Sequence, residues 1–166
     1  MKKILVLGSP GSGKSVFSRK LNEITNIPVY HLDNIYHNED KTHVEREEFE
    51  EHIKNILKEE SYIIDGNYSK TLEMRIKDCD TCFLLDYPTE ICVDGINSRI
   101  GIKRDDFPWI DYEVNEMLIE KTRNYGKLKM PKIKGLLQKY SDSKEIIIFK
   151  TREESDEYIK RLKKEW

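Results

Sequence analysis

The chain of 166 residues is the length of one domain and is long enough to bury a hydrophobic core. Its 31 acidic residues nearly balance its 29 basic residues, and the net charge of −2 argues against direct nucleic-acid binding, which needs a clustered basic field. The first apolar run is too short for a signal peptide, and nothing approaches the roughly 20 apolar residues of a membrane span. We therefore expect a cytoplasmic protein with no membrane partner.

The most informative segment is Gly8-Ser9-Pro10-Gly11-Ser12-Gly13-Lys14-Ser15, which matches the phosphate-binding pattern G-x-x-x-x-G-K-[ST]. An apolar run of strand type precedes it, and residues 16–24 have helical spacing, so backbone N–H groups and a helix dipole are directed at an anion. We expect Lys14 to reach the β- and γ-phosphates of a nucleotide and Ser15 to bind Mg²⁺. The predicted cofactor-binding residues here are Gly8, Ser9, Pro10, Gly11, Ser12, Gly13, Lys14, Ser15 and Val16.

Apolar runs and helical patterns alternate along the rest of the chain, which predicts a doubly wound α/β fold. The predicted strands are residues 4–7, 28–32, 62–65, 81–86 and 146–149. The predicted helices include 69–77, 88–99, one from the capping box Thr42-x-x-Glu45 to 59, one marked by Ile110, Val114, Met117 and Leu118, one begun by Pro131, and one capped by Thr151.

Three aspartates follow predicted strands, at the sheet edge where open α/β folds bind ligands. Asp65-Gly66 has the form of a Walker B strand end, and we expect Asp65 to serve the Mg²⁺ site with Ser15. Asp86 has the same form and is the rival metal carboxylate, and the alternative is that it is a helix cap or a structural hydrogen-bond acceptor. Asp33 is expected to meet a hydroxyl of the phosphate acceptor, and the alternative is that it caps the next turn.

Arginines that follow these strands are candidates for contact with a transferring phosphoryl group. Arg75 lies on a predicted short helix, Arg99 ends a later one, and Arg104 lies in the charged loop that follows, whereas Arg123 is a weaker candidate. The alternative for each of them is plain surface charge. The predicted catalytic residues are Lys14, Asp33, Arg75, Arg99 and Arg104.

Two other patterns favour no metal or redox site. The histidines His31, His37 and His43 are evenly spaced but match no helical i,i+4 pair of ligands. The pair Cys79 and Cys82 enters a predicted strand, whereas a redox C-x-x-C pair opens a helix that lowers a thiol pKa. We expect His31 to orient the sheet edge beside Asp33.

The chain resembles the small P-loop proteins known as DNA topology modulation proteins, which are related to adenylate kinase and shikimate kinase. The resemblance is carried by the P-loop, His31-Leu32-Asp33 with Tyr36, Asp65-Gly66-Asn67-Tyr68-Ser69, Thr71-Leu72 with Arg75, Leu85-Asp86-Tyr87-Pro88, and Arg123-Asn124-Tyr125. It implies an adenylate-kinase-like P-loop NTPase fold in three layers, with a five-stranded parallel sheet of order 2-3-1-4-5.

The same resemblance implies several roles. Asp65-Gly66 matches the Walker B position, residues 99–110 match a short ATP lid, and Thr151-Arg152 matches the turn that holds adenine. Adenylate kinases have a threonine-glycine step and an arginine that bind AMP after the second strand. Here His31-Leu32-Asp33 stands instead, which is closer to shikimate kinase, whose acceptor carries a free hydroxyl.

These observations predict one P-loop kinase-like domain over residues 1–166 that uses ATP and Mg²⁺. The favoured function is a nucleotide-kinase-type phosphotransferase that acts on a small hydroxylated or nucleotide acceptor. The alternatives are a nucleotide-dependent regulator of DNA topology or transcription and a nucleotide-binding module without turnover. We expect a monomer or a homodimer.

Overall fold

The computed structural model describes all residues from Met1 to Trp166, and five strands alternate with eight helices along the chain. The strands are β1 (Lys3–Gly8), β2 (Val29–His31), β3 (Tyr62–Asp65), β4 (Thr81–Leu85) and β5 (Glu145–Phe149). The helices are α1 (Lys14–Thr25), α2 (Leu32–Tyr36), α3 (Arg46–Leu57), α4 (Ser69–Asp78), α5 (Thr89–Asn97), α6 (Glu116–Leu128), α7 (Met130–Tyr140) and α8 (Arg152–Glu165).

The strands form a single sheet of order β2-β3-β1-β4-β5 in which every pairing is parallel. This confirms the predicted α/β fold class and strand order. The register aligns Val6 with Asp65 and Asp65 with His31, so the ends of β1, β2 and β3 meet at one edge. That edge carries the P-loop, which is why the candidate site lies there.

The sheet is covered on both faces, because alternate residues of the central strands enter two separate hydrophobic clusters. On β1, Leu5 and Leu7 belong to the larger cluster and Ile4 and Val6 to the smaller. Helices α3, α4 and α7 cover the first face, and α1 and α8 cover the second. No helix combines the length and apolar character needed to cross a lipid bilayer.

The predicted capping box at Thr42 is wrong, because α3 begins at Arg46 and its N-cap, Glu45, makes no side-chain cap. The Thr42 hydroxyl instead donates to Asp40 Oδ1 at 2.6 Å. A backbone bridge between His37 and His43 turns this segment back on itself before α3 begins. A local turn therefore takes the hydroxyl that the pattern assigned to the helix.

Of two further helix starts, one differs from the prediction and one agrees with it. The helix predicted from Ile110 begins only at Glu116, where the Asn115 side chain accepts from the N–H of Leu118 at 3.0 Å. By contrast, Thr151 caps α8 as expected and accepts from the N–H of Glu154. The short helix α2 was not predicted, and it carries Asp33 in its first turn.

The P-loop lies directly on the backbone of α5. A Cβ atom built on Gly11 would stand 1.9 Å from the carbonyl oxygen of Cys92, and one built on Gly95 would stand 2.0 Å from that of Gly11. Real Cβ atoms do not approach so closely. The loop and the helix therefore depend on two glycines for their contact, a requirement that no local pattern around Gly95 announces.

We expect Gly95→Ala to lower the free energy of unfolding by about 2 kcal/mol, because the added methyl group overlaps the P-loop backbone. The matched control is Gly126→Ala in α6, where nothing lies within 4 Å of the new Cβ. That control should raise stability by about 0.5–1 kcal/mol, since alanine favours a helix. Urea unfolding measures both, and equal effects of the two substitutions would contradict the contact.

Candidate functional site

The P-loop has the conformation its glycines allow. Gly11 and Gly13 have φ values of 79° and 92°, in the left-handed region, and Gly13 is the residue before α1. The Lys14 ammonium donates to the carbonyl oxygens of Gly8 and Ser9, each at 3.0 Å. It thus spans the loop, at the amino end of a helix that favours anions.

Charge and burial both prepare this loop for an anion. Burial lowers the pKa of the Lys14 ammonium, while the carboxylates of Asp33 and Asp65 act in the opposite direction. The hydroxyl groups of Ser9 and Ser12 are buried and have no hydrogen-bond partner. Buried polar groups are normally paired, so the Ser12 hydroxyl, which lines a cavity, fits a site that a phosphate completes.

Asp65 is almost fully buried at the end of β3, with Oδ2 2.6 Å from Nδ1 of His31. Burial opposes the charged imidazolium, but the hydrogen bond and charge of Asp65 outweigh it, so the pKa of His31 is raised. The charge of Asp106 acts on His31 in the same direction. His31 therefore lies at the expected edge of the sheet, where the side chain that it orients is Asp65.

Asp106 is a site residue that sequence reasoning missed. Its side chain is almost fully buried, and its Oδ2 accepts from the Ser15 hydroxyl at 2.8 Å. Nη1 of Arg104 and Nη1 of Arg19 each lie 3.9 Å from its carboxylate. Burial would raise the pKa of Asp106, but the charge of Arg104 and the hydrogen bond from Ser15 hold it below the usual range.

The expected metal site at Ser15 and Asp65 fits Mg²⁺ only in a limited way. No three histidine, cysteine or carboxylate side chains come together as a metal-binding group. Mg²⁺ is commonly held by one or two protein oxygens, waters and substrate phosphates, and not by a complete protein cage. The Ser15 hydroxyl and the nearby carboxylates are oxygen donors of that kind, so the residues present fit a metal that arrives with a nucleotide.

Asp33 lies on α2 and its Oδ1 accepts from the Tyr68 hydroxyl at 2.6 Å. It does not cap that helix, since the N-cap is His31. The charge of Asp33 acts on both Lys14 and Arg99. The structure thus brings this carboxylate together with the two cations that the sequence predicted for phosphate contact.

The expectation that Arg75 contacts a phosphoryl group is wrong. Its side chain is fully buried, and Nη1 donates to the carbonyl of Gly66 at 2.9 Å. Nη2 donates to the carbonyls of Asn67 and of Tyr68, the second at 3.2 Å. Burial lowers the pKa of Arg75 to about 10, so the guanidinium remains charged at neutral pH. Its hydrogen bonds fix the loop of residues 66–68.

The loop that Arg75 holds connects the two sides of the site. The Asn67 amide accepts from the N–H of Gly8 at 3.2 Å and donates to the Gly8 carbonyl at 2.7 Å. Tyr68 has a φ of 31°, an uncommon value for a residue with a side chain, and its hydroxyl reaches Asp33. The stretch Asp65-Gly66-Asn67-Tyr68 was conspicuous in the sequence, but its contacts could not be inferred from it.

Asp86, the rival metal carboxylate, is engaged elsewhere. Lys134 lies 2.7 Å from its Oδ2, and Lys150 contacts the same oxygen. Burial would raise the pKa of Asp86, but these two ammonium groups hold it below the ordinary value. Asp86 therefore connects β4 to α7 and to the turn after β5, whereas Asp65 lines the larger cavity described below.

Two cavities meet at the P-loop. The larger has a volume of about 1000 Å³ and is lined by Pro10, Lys14, Asp33 and Asp65 among others. The smaller, of about 340 Å³, is lined by Ser12, Gly13, Val16 and Arg152 among others. The residues that line both cavities are Gly11, Ser15, Arg99, Arg104 and Asp106.

The remaining predicted residues divide accordingly. Arg99 and Arg104 stand at the junction of the cavities, and burial together with the charge of Arg104 lowers the pKa of Arg99. Neither cavity is lined by Thr151, Gly8 or Ser9. The carbonyl oxygens of Gly8 and Ser9 instead accept hydrogen bonds from the Lys14 ammonium. Arg123 is exposed on α6, and the three cysteines are buried as free thiols.

The chain is similar to adenylate kinases over a segment of 94 residues. It is 32% identical to those of Thermotoga petrophila and Thermotoga maritima, and 30% identical to that of Thermotoga neapolitana. The match covers 55% of this chain and only 42% of the length of each relative. No protein-family model matches the chain. The likeness, with the sheet order and the P-loop, supports a distant relationship to kinases with a P-loop.

We expect Arg75→Lys to lower the free energy of unfolding by roughly 2–4 kcal/mol, because lysine cannot satisfy three carbonyls of a buried loop. Arg123→Lys, the same exchange at an exposed position, is the control and should change stability by less than about 0.5 kcal/mol. Urea unfolding of both variants measures the difference. If Arg75→Lys is as stable as its control, the buried fork does not hold the loop.

We expect Asp86→Asn to lower stability at pH 7 by about 1 kcal/mol, a small value because both lysine partners are partly exposed. A depressed pKa contributes stability above the unfolded-state value near 3.9, and that stability is lost as pH falls through the folded-state value. The difference from the parent protein should therefore shrink below about pH 4. Thermal unfolding from pH 7 to pH 2.5 follows it, and a constant difference over that range would contradict the ion pairs.

Proposed function

We propose that the protein is an ATP-dependent phosphotransferase that moves the γ-phosphoryl group of ATP to a small acceptor. The observation that carries the proposal is the meeting of two cavities at one P-loop, with Arg99 and Arg104 at the junction. A kinase needs a donor site and an acceptor site that face the same phosphoryl group. The chain is similar to adenylate kinases, which are nucleotide kinases by name, and this similarity supports the reaction class.

ATP fits the smaller cavity as the donor site. Gly11, Ser12 and Gly13 present their part of the P-loop there, and Arg152 also lines this cavity. The helix α1 begins directly at Lys14, so its free N–H groups and dipole favour the phosphates. The base would then lie toward Arg152, at the beginning of α8, as the sequence resemblance implies.

Mg²⁺ would be held by the Ser15 hydroxyl and by the carboxylate of Asp65 at the end of β3. The Ser15 hydroxyl donates its hydrogen bond to Asp106, which leaves its oxygen lone pairs free for a cation. His31 fixes one oxygen of Asp65 and leaves the other without that partner. When bound, the metal would neutralise charge on the phosphates; the protein residues orient its ligands.

The residues of the chain then divide the work of transfer. Lys14, Arg99 and Arg104 are the cations placed to neutralise negative charge on the transferring group. Asp33 is placed to accept a hydrogen bond from the acceptor and to take up its proton. The connection between α5 and α6, which carries Arg104 and Asp106, would act as the lid that excludes water.

Regulation of DNA topology remains the alternative function, and it rests on the sequence resemblance alone. A DNA-binding regulator would bind duplex DNA with a steep salt dependence. Acceptor-stimulated release of ADP from ATP and Mg²⁺, without any requirement for DNA, distinguishes the phosphotransferase. If no compound in a broad metabolite panel raises ATP turnover, the phosphotransferase proposal fails.

We expect Lys14→Ala to weaken binding of a non-hydrolysable ATP analogue by about 10- to 100-fold, since one buried charge–phosphate contact is lost. Lys160→Ala, at an exposed position on α8 outside both cavities, is the control and should bind as the parent protein does. Isothermal titration calorimetry measures the dissociation constants. Unchanged affinity in Lys14→Ala would contradict the assignment of the P-loop as the donor site.

We expect Asp65→Asn to lower Mg²⁺-dependent turnover by about 10- to 100-fold, the usual effect of losing a side chain that supports a metal site. Asp86→Asn is the matched control, because Asp86 occupies the same kind of strand end but is bound to two lysines. ADP release at several Mg²⁺ concentrations compares the two variants. The roles would be reversed if Asp86→Asn alone lost its response to Mg²⁺.

A further inference from the structure

Eight aromatic side chains line the larger cavity, and we name six of them the aromatic wall: Tyr36, His37, His43, Tyr68, Phe107 and Trp109. The rings of Tyr36 and His43 stack, with centroids 4.9 Å apart and planes 7° apart. The Phe107 and Trp109 rings are 4.5 Å apart in an edge-to-face contact. A cavity bounded by so many ring surfaces favours a ligand that is itself flat and aromatic.

The aromatic wall joins two distant segments of the chain. His37 follows α2, and its ring lies 5.2 Å from that of Phe107 and 5.4 Å from that of Trp109. Burial lowers the pKa of His37, so the ring is uncharged at neutral pH and belongs to the apolar surface. These ring contacts hold the segment that carries Arg104 against the larger cavity. Phe107 and Trp109 of the aromatic wall therefore lie on the same segment as Arg104.

A carboxylate occupies the position where an acceptor must approach. Asp33 lines the same cavity, and its negative charge acts to raise the pKa of Lys14 and of Arg99. One of its oxygens is taken by the Tyr68 hydroxyl, and the other has no partner within the protein. The oxygen without a partner can accept a hydrogen bond from the hydroxyl of an alcohol and take up its proton, which a phosphate acceptor that is already ionised does not require.

We propose that the acceptor is an alcohol of the nucleoside class, a planar heteroaromatic ring joined to a free hydroxyl, and that the product is a phosphate ester. This inference rests on the proposed function. The hydroxyl oxygen of the acceptor forms a bond to the γ-phosphorus of ATP, and the bond from that phosphorus to the β–γ bridging oxygen breaks. ADP leaves with the electron pair, and the hydroxyl proton passes to the carboxylate of Asp33.

The test incubates the protein with ATP, Mg²⁺ and one acceptor at a time. The panel holds the common ribo- and deoxyribonucleosides, their 5′-monophosphates, and two alcohols without a planar ring, glycerol and myo-inositol. Mass spectrometry and phosphorus NMR distinguish a new phosphate ester from a new phosphoanhydride. We expect an ester on at least one nucleoside or nucleotide hydroxyl and none on glycerol or myo-inositol.

Each other outcome overturns the inference in a recognisable way. A nucleoside diphosphate formed from a monophosphate would show that a phosphate, and not a hydroxyl, attacks. Equal transfer to myo-inositol would remove the ring from the requirement and leave the phosphotransferase proposal standing. Binding of ATP with no transfer to any member of this panel would refute the acceptor class, and silence of a broader metabolite panel would refute the phosphotransferase as well.

Variants then test the two parts of the site separately. Trp109→Leu and His43→Leu each remove one ring of the aromatic wall and should raise KM for the nucleoside about 10-fold, with KM for ATP unchanged. His52→Leu, the same exchange at an exposed position of α3 outside the cavity, is the control and should leave both constants as in the parent protein. If KM for the nucleoside is unchanged in both wall variants, the ring does not bind there.

Asp33→Asn tests the role of the carboxylate. It should lower kcat for the hydroxyl acceptor by about 100-fold or more, because the amide cannot take up the proton, while affinity for the ATP analogue is retained. Thermal unfolding of each variant verifies that the fold is intact. Full turnover of Asp33→Asn would show that the carboxylate does not face the reacting hydroxyl.

Discussion

The architecture of the site depends on one buried cation. The guanidinium group of Arg75 binds the carbonyl oxygens of three consecutive residues, Gly66, Asn67 and Tyr68, and fixes a loop that contains an uncommon left-handed residue. From that loop the Asn67 amide reaches back to the start of the P-loop, and the Tyr68 hydroxyl reaches across to Asp33. One side chain thereby holds the two halves of the site in a fixed relation, although it contacts neither cavity.

The second constraint is electrostatic. Lys14, Arg99 and Arg104 lie around a small volume with the carboxylates of Asp33, Asp65 and Asp106, so cations and anions largely compensate in the folded protein. Partners satisfy most of these groups internally: Ser15, Arg19 and Arg104 for Asp106, and His31 for Asp65. Such an arrangement allows a buried charged site to exist before any ligand binds, because isolated buried charges would otherwise be strongly destabilising.

The two cavities are chemically distinct. The smaller lies along the P-loop and the start of α8, whereas the larger is lined by the aromatic wall, by Asp33 and by several basic side chains. The distance in sequence between His37 and Trp109 means that this wall forms only when the α5–α6 connection packs against the segment after α2. Packing of the α5–α6 connection over the site and formation of the larger cavity are therefore one event in this fold.

The sequence alone determined the elements whose signals are local. The P-loop, the apolar strands, the Thr151 cap and the carboxylates at the strand ends were readable because each is defined by neighbouring residues, and the sheet order followed from the resemblance to P-loop kinases. The sequence left Asp65 and Asp86 as rival metal carboxylates, and it gave no sign that Asp86 is bound to two lysines.

Only the tertiary structure decided which side chains meet. It moved Arg75 from the phosphoryl group to a buried loop, paired His31 with Asp65, brought Asp106 to Ser15 across 91 positions of the chain, and placed Gly95 against Gly11. The Thr42 capping box failed because a nearby aspartate competed for the same hydroxyl. Charged and small residues look alike in a sequence whether they face water or a buried partner, because the partner is distant along the chain and is chosen by packing.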